Sequence, residues 1–350
     1  MLQLVVGLLL LVCGAELLVR ASLRLAASLK VRPLIIGLTV VAFGSSAPQL
    51  AVSLQAATSG APDIAVGSVF GSNIFNVLVT LGFCALIIPL RVSRQLVLLD
   101  IPLMIVASLL VFVLAYNEVL GHLEGALLLV MLLIYLGLVL HQSRHHGRTY
   151  PAVIKGARHG PAPWLSSLTL MLGGLAMLIL AGHLLLDAAV EVAVDLGLSE
   201  RIIGLTIVAV CTSLPELATS LIAAIRGERD IAVGNVIGSN LFNLLGVLGL
   251  TAVIAPQPLS VSPNALDFDL PVMLGVAVLT LPMFYSGYRI TRAEGLLLLC
   301  LYLAYGLHVV SFTTGMPLAA RLEHLMLFYV LPVLAAVMLY TTLRAWRRQH

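Results

Sequence analysis

Two short stretches of this chain, "SSAPQLAVSL" at 45–54 and "TSLPELATSL" at 212–221, set an uncharged amide, Gln49, and a carboxylate, Glu216, at matching points of otherwise apolar sequence. The polar side chains around them fall at helical spacing. Ala42, Ser45, Ser46 and Gln49 stand at i, i+3, i+4 and i+7, and so do Ala209, Thr212, Ser213 and Glu216; Ser72 and Asn76, like Ser239 and Asn243, stand at i and i+4. Each set therefore shares one helical face. Pro48 and Pro215 bring in the backbone, because proline has no amide hydrogen and its ring crowds the carbonyl four residues earlier. The carbonyls of Gly44 and Cys211 are expected to leave the helical ladder and, in an apolar setting, to face protein, water or an ion. Hydroxyl, amide, carboxylate and backbone oxygens together suit a hard cation. The plainer reading is that these serines and asparagines hydrogen-bond across helix contacts, for which "GSVFG" and "GNVIG" are also small-residue packing faces. Glu216 resists that reading, since an acid near a membrane-helix centre costs ~3 kcal/mol to insert and marks a site or pathway by default.

The elements that must position these groups follow from composition. With 60% hydrophobic residues, 10% charged and a mean hydropathy of +1.09 over 350 residues, the chain is an integral membrane protein. Apolar runs long enough to cross a hydrocarbon core of ~30 Å recur at 2–19, 33–58, 64–88, 97–116, 123–141, 164–186, 202–225, 230–255, 270–286, 293–312 and 324–343, which predicts eleven spanning helices. The first run has no basic residues before it and reads as a retained helix. Cys13, Cys84, Cys211 and Cys300 lie inside these runs as small apolar thiols, without metal-ligand spacing or a disulfide framework. Basic residues gather after the odd-numbered runs (Arg20, Arg24, Lys30 and Arg32; Arg91 and Arg94; Arg144, Arg148, Lys155 and Arg158). Acidic ones follow the even-numbered runs (Asp63, Glu118, Glu191, Asp195, Glu200, Asp267 and Asp269). The N-terminus is predicted outside and the tail "RAWRRQH" in the cytoplasm, in a bacterial inner membrane. The loop "HQSRHHGR" reads as a solvated basic connection, not a metal or nucleic-acid site. Glu16 and His183 occupy matching places, and a structural ion pair with the neighbouring arginines accounts for Glu16.

An internal repeat at a constant offset of 167 organises the chain. Gly37 matches Gly204, Pro48 Pro215, Gly60 Gly227, Asp63 Asp230, Asn73 Asn240 and Asn76 Asn243; from Gly37 to Gly82 there are 28 identities in 46 positions without a gap. Weak similarity between 14–22 and 181–189 starts each unit one helix earlier, so a unit has five helices. An odd number inverts the second unit in the membrane. Inverted repeats with a site at their interface are characteristic of alternating-access transporters. The organisation is thus an all-α polytopic membrane protein: a first repeat at 1–141, a basic cytoplasmic loop at 142–163, an inverted repeat at 164–312, and an extra helix with a basic tail at 313–350.

The doubled stretch "GLTVVAFGSSAPQLAVSL…DIAVGSVFGSNIFN" and "GLTIVAVCTSLPELATSL…DIAVGNVIGSNLFN" resembles the two alpha-repeats of the calcium/cation antiporter superfamily, in particular the prokaryotic Na+/Ca2+ exchangers. The resemblance spans residues 1 to about 310. It implies ten core helices in two inverted halves, two of them sliding against a rigid bundle. It places the acidic cation-ligand positions at Gln49 and Glu216 and further ligands at Asn76 and Asn243. Sodium ligands fall at Ser45, Ser46, Ser72, Thr212, Ser213 and Ser239 and at the carbonyls of Ala42 and Ala209. The transported cations would be Ca2+ and Na+, with K+ or H+ as the alternative, and there would be no cofactor, enzyme activity or nucleic-acid partner.

Two departures from the family pattern stand out: Gln49 where glutamate is usual, and Cys211 where glycine is. The first concerns charge. Two carboxylates would neutralise Ca2+, whereas Glu216 alone leaves a net +1 in a weakly solvated cavity; Na+, K+ or H+ would balance one carboxylate. The resemblance thus points to Na+/Ca2+ exchange and the charge to monovalent cation/H+ exchange. A transport-inactive or regulatory protein that kept the fold is the third reading.

Overall fold

The computed structural model describes residues 2–29, 31–146, 163–195, 207–285 and 287–313. Among these residues nine helices are long and apolar enough to cross a membrane, and a bent pair makes a tenth span. In chain order they are α1 (Leu2–Leu29), α2 (Pro33–Ser45 continued by Ala47–Thr58), α3 (Pro62–Ile87), α4 (Leu96–Asn117), α5 (His122–His146), α6 (Pro163–Asp195), α7 (Val208–Ile225), α8 (Arg229–Ile254), α9 (Ala265–Tyr285) and α10 (Arg292–Thr313). The expected run at 324–343 and the tail lie outside the described residues, as do 147–162 and 196–206.

The boundaries follow local chemistry. Prolines open α2 and α3, where a missing amide hydrogen costs no helical bond, and Asp63 and Asp230 sit in the first turns of α3 and α8, favourably placed for the helix dipole. Gly60 and Gly227 adopt φ of 84° and 83° in the turns before those helices, a left-handed conformation that glycine takes without steric cost. Two helices outrun their apolar cores. No breaker interrupts α1 before Pro33, so Arg20 and Arg24, expected in a loop, lie on its last turns; α6 likewise continues past 186 to Asp195. Glu16 is ion-paired to Arg20 one turn on and to Arg226 just past the end of α7, as expected of a structural acid.

The inversion is visible in the connections. Strand β1 (Leu90–Arg91), after α3, pairs antiparallel with β4 (Arg289–Ile290), after α9; β2 (Val119–Leu120), after α4, pairs with β3 (Leu259–Ser260), after α8. Each small sheet joins a loop of one half to the other half's loop of the other kind, as two antiparallel halves require. Packing repeats in the same sense. Gly82 of α3 meets Gly295 of α10, and Gly125 of α5 meets Gly249 of α8; a Cβ on Gly82 would stand 3.1 Å from the Gly295 carbonyl oxygen, and one on Gly249 would stand 3.1 Å from that of Gly125. Such approach is the usual way membrane helices associate. Two buried acids off the central helices are doubled too: the Tyr135 hydroxyl donates to Asp100 (3.5 Å), tying α5 to α4, and that of Tyr305 donates to Asp269 (2.9 Å), tying α10 to α9.

α3 and α8 are buried over most of their length at the centre of the bundle, whereas α1, α4, α5, α6 and α10 turn leucines, valines and isoleucines outward. Water would not tolerate that exterior, but lipid does. The four helices that carry the doubled motif, α2, α3, α7 and α8, thus meet in the interior.

Candidate cation site

Every side chain singled out by the repeat is buried: Ser45, Ser46, Gln49, Ser72, Asn76, Thr212, Ser213, Glu216, Ser239 and Asn243, with Ala42 and Ala209 beside them. The two halves make the same hydroxyl contact twice. Ser45 of α2 meets Ser239 of α8 at 3.3 Å, and Ser72 of α3 meets Thr212 of α7 at 3.4 Å, so the facing helices always belong to different repeats.

The key positions are not equivalent. Glu216 takes a hydrogen bond across the interface from Ser46 (3.1 Å on Oε1), while its Oε2 has no hydrogen-bond partner among the described residues. Gln49 stays within its own half: its oxygen accepts from Ser72 (2.9 Å), and its nitrogen donates to Ser53 (3.2 Å) and Ser68 (2.9 Å). The amide thus turns its carbonyl toward Ser72 and Thr212. Both amide atoms of Asn76 and the oxygen of Asn243 are also without partners among the described residues. Buried polar atoms are normally paired. Three of these atoms, the oxygens of Glu216, Asn76 and Asn243, have lone pairs left for a cation or a further donor, whereas the Asn76 nitrogen can only donate.

The two proline-bearing helices differ around the site. α2 bends by 40° at Ser46, next to Pro48, but α7 remains a single helix with Pro215 inside it. The Ala42 carbonyl is still in the ladder, accepting Ser46 N–H at 3.0 Å and the Ser45 hydroxyl at 3.3 Å. The Ala209 carbonyl gathers the hydroxyls of Ser213 (2.8 Å), Thr212 (3.2 Å) and Ser72 (3.4 Å). Proline relaxes the ladder by one bond, and tertiary packing decides whether the helix bends there. At Asn76 and Asn243 the helices widen into π-helical turns, Asn76–Leu81 and Phe242–Val247, an irregularity often found at functional positions.

Several participants escaped the sequence reading. Asn235 accepts from Ser45 (3.1 Å) and donates to Ser220 (2.9 Å) and to the Glu216 carbonyl (3.3 Å). Asn73 and Asn240 donate to each other's carbonyls at 3.3 Å, clasping α3 to α8, and Asn73 also accepts from Asn243 (3.1 Å). Their signal was present: Ser53 and Ser220 stand four residues past Gln49 and Glu216, Ser68 and Asn235 four before Ser72 and Ser239, all at the repeat offset.

Fold and site together define an inverted-repeat membrane transporter rather than an enzyme. The chain belongs to the sodium/calcium exchanger protein family, whose signature matches residues 1–143 and 166–311. Among its relatives, CaxA of Alkalimonas amylolytica, named as a candidate antiporter, is 39% identical over 86% of this chain and 95% of its own. The sodium/calcium exchanger MaX1 of Methanosarcina acetivorans is 31% identical over 86% of this chain and 96% of its own. A solved structure of the sodium-calcium exchanger NCX_Mj superposes with a TM-score of 0.73 at 31% identity, covering 86% of this chain and 95% of that one. The chain is a membrane antiporter of inorganic cations.

Proposed function

We propose that the protein moves Ca2+ against Na+ by alternating access, with the cations bound among the buried oxygens of α2, α3, α7 and α8. One observation carries this reading: one Glu216 oxygen and the side-chain oxygens of Asn76 and Asn243 lie without partners among the described residues, within a set that offers cations only oxygen ligands. Glu216 is the charged ligand, Gln49, Asn76 and Asn243 supply neutral oxygens, and Ser45, Ser46, Ser72, Thr212, Ser213 and Ser239 with the Ala209 carbonyl complete the shells. The Ala42 carbonyl, at the matching place in the first repeat, joins them.

In this reading residues 1–141 and 164–312 are the two halves, 142–163 links them in the cytoplasm, and 313–350 adds a helix and a cytoplasmic tail, with the N-terminus outside. α1 and α6 pack on each other so closely that a Cβ on Gly14 or on Gly174 would stand 2.9 Å from the other's carbonyl oxygen, which suits a pair moving as a unit past the site.

The Gln49 amide favours a second reading, monovalent cation/H+ exchange. At an effective dielectric of ~20, two unit charges ~4 Å apart interact by about 4 kcal/mol, so a missing carboxylate withholds roughly twice that from a divalent ion and half as much from a monovalent one. Proteoliposomes given Ca2+, Na+, K+ and pH gradients separately distinguish the readings. Sodium-driven Ca2+ uptake supports the first, and Na+ or K+ movement coupled only to pH replaces it with the second. No flux under any gradient would leave the transport-inactive reading.

A further inference from the structure

The two repeats let the protein serve as its own comparison, and the inference that follows rests on the cation reading of the buried cage. Around the key residue of each half the polar positions keep their chemistry: Ser53 and Ser220, Ser72 and Ser239, Asn73 and Asn240, and Asn76 and Asn243 are identical, and Ser45 and Thr212 both carry hydroxyls. Two positions change together. Where the key residue is Glu216, the residue facing it from the next helix is Asn235; where it is Gln49, that residue is Ser68.

The hydrogen bonds show what is exchanged. Each half uses one primary amide to reach the serine one turn beyond the key residue. In the second half Asn235 of α8 donates to Ser220 (2.9 Å); in the first, Gln49 of α2 itself donates to Ser53 (3.2 Å). The amide has changed helices. Gln49 spends its second hydrogen on Ser68 (2.9 Å), whose hydroxyl hydrogen is already given to the Ala65 carbonyl (2.9 Å), so Ser68 presents a lone pair. With the Ser68 hydrogen committed to Ala65, the Gln49 nitrogen rather than its oxygen belongs beside Ser68, which turns the oxygen toward Ser72 and the cage.

We propose that Ser68 is the positioning residue that sets the charge of this site: it holds Gln49 as a neutral carbonyl ligand, and position 49 can serve as a second carboxylate only when position 68 carries an amide, as position 235 does. A glutamate introduced at 49 alone would put a carboxylate oxygen where Nε2 now stands, against the lone pair of Ser68, with only the Ser53 hydroxyl able to turn and donate to it. Ser68 could donate to it only by giving up Ala65. An asparagine at 68 would take over Ser53, as Asn235 takes Ser220, and release the carboxylate to the cage.

The test is equilibrium titration of Ca2+ and Na+, separately and in competition, on the purified full-length protein in detergent, for wild type, Gln49→Glu, Ser68→Asn, the double variant and Glu216→Gln. The double variant should bind Ca2+ at least about tenfold more tightly than the product of the single effects, the scale of a hydrogen bond to a charged group, and its preference for Ca2+ over Na+ should rise in parallel. Ser68→Asn alone should weaken both cations, since two amides then compete for Ser53. Single effects that simply multiply, or Gln49→Glu matching the double variant, overturn the role of Ser68 and leave the site standing. Normal binding by Glu216→Gln overturns the site itself. Should the double variant fail to fold, Ser68→Ala, which only removes the acceptor, should lower cation affinity severalfold while Ser68→Thr retains it; equal affinities in the two would overturn the proposal.

Discussion

At the scale of single residues, the proposed site has one charge, Glu216, held in an unequal frame. Glu216 has one oxygen on Ser46 and the other unpaired among the described residues. Glu216→Gln should therefore abolish exchange, since no other of the ten cage side chains carries a charge to balance the cation, yet the variant should insert in normal amounts because an amide is cheaper to bury. Flux together with membrane abundance checks this, and normal flux would move the site elsewhere. The asparagine clasp is unequal too. Asn73 bonds Asn243, but the mirror contact from Asn240 to Asn76 is absent, and the Asn240 side-chain oxygen has no partner among the described residues. Asn73→Ala should loosen Asn243 and weaken cation affinity more than Asn240→Ala. Both should lose about 1–3 kcal/mol of stability, because each strips a buried carbonyl of its donor. Cation titration and thermal unfolding of the two variants separate these effects.

At the scale of elements, matching prolines have different consequences. α2 bends by 40° at Ser46, and Ser46 is the residue that reaches across to Glu216; α7, with Pro215, does not bend. Pro48→Ala would return an amide hydrogen to the Gly44 carbonyl and favour a straighter α2, drawing Ser46 away from Glu216. Its cation affinity is expected to fall several times further than that of Pro215→Ala. Equal losses would mean that the bend does not set the Ser46 contact. Periodicity and proline placement made the ten helices and the shared faces of their polar residues legible, since both depend on neighbours within a few positions. Which proline bends its helix was not legible, because the packing of a distant helix decides it.

At the scale of the whole molecule, the two small sheets bring loops from different halves to common faces. Arg91→Cys and Arg289→Cys should be labelled by an impermeant thiol reagent from the cytoplasm alone, and Val119→Cys and Asp267→Cys from outside alone. Arg91 and Arg289 face each other in the β1–β4 pair, Val119 lies in β2 and Asp267 in the first turn of α9, and basic residues stay on the cytoplasmic side. Labelling of all four from one face would contradict the inversion.

The sequence by itself determined the environment, the two five-helix units, their inversion and the ten oxygen-bearing side chains of the cage. These rest on composition, a 167-residue offset and helical spacing, all written in residue identity. Tertiary structure decided the partnerships: Ser46 with Glu216 but no mirror bond from Ser213 to Gln49, the Gln49 amide turned by Ser53 and Ser68, Asn73 holding Asn243. The physical reason is reach. A hydrogen bond between residues 170 positions apart depends on how two helices cross, to within tenths of an ångström, and two related repeats make that choice differently.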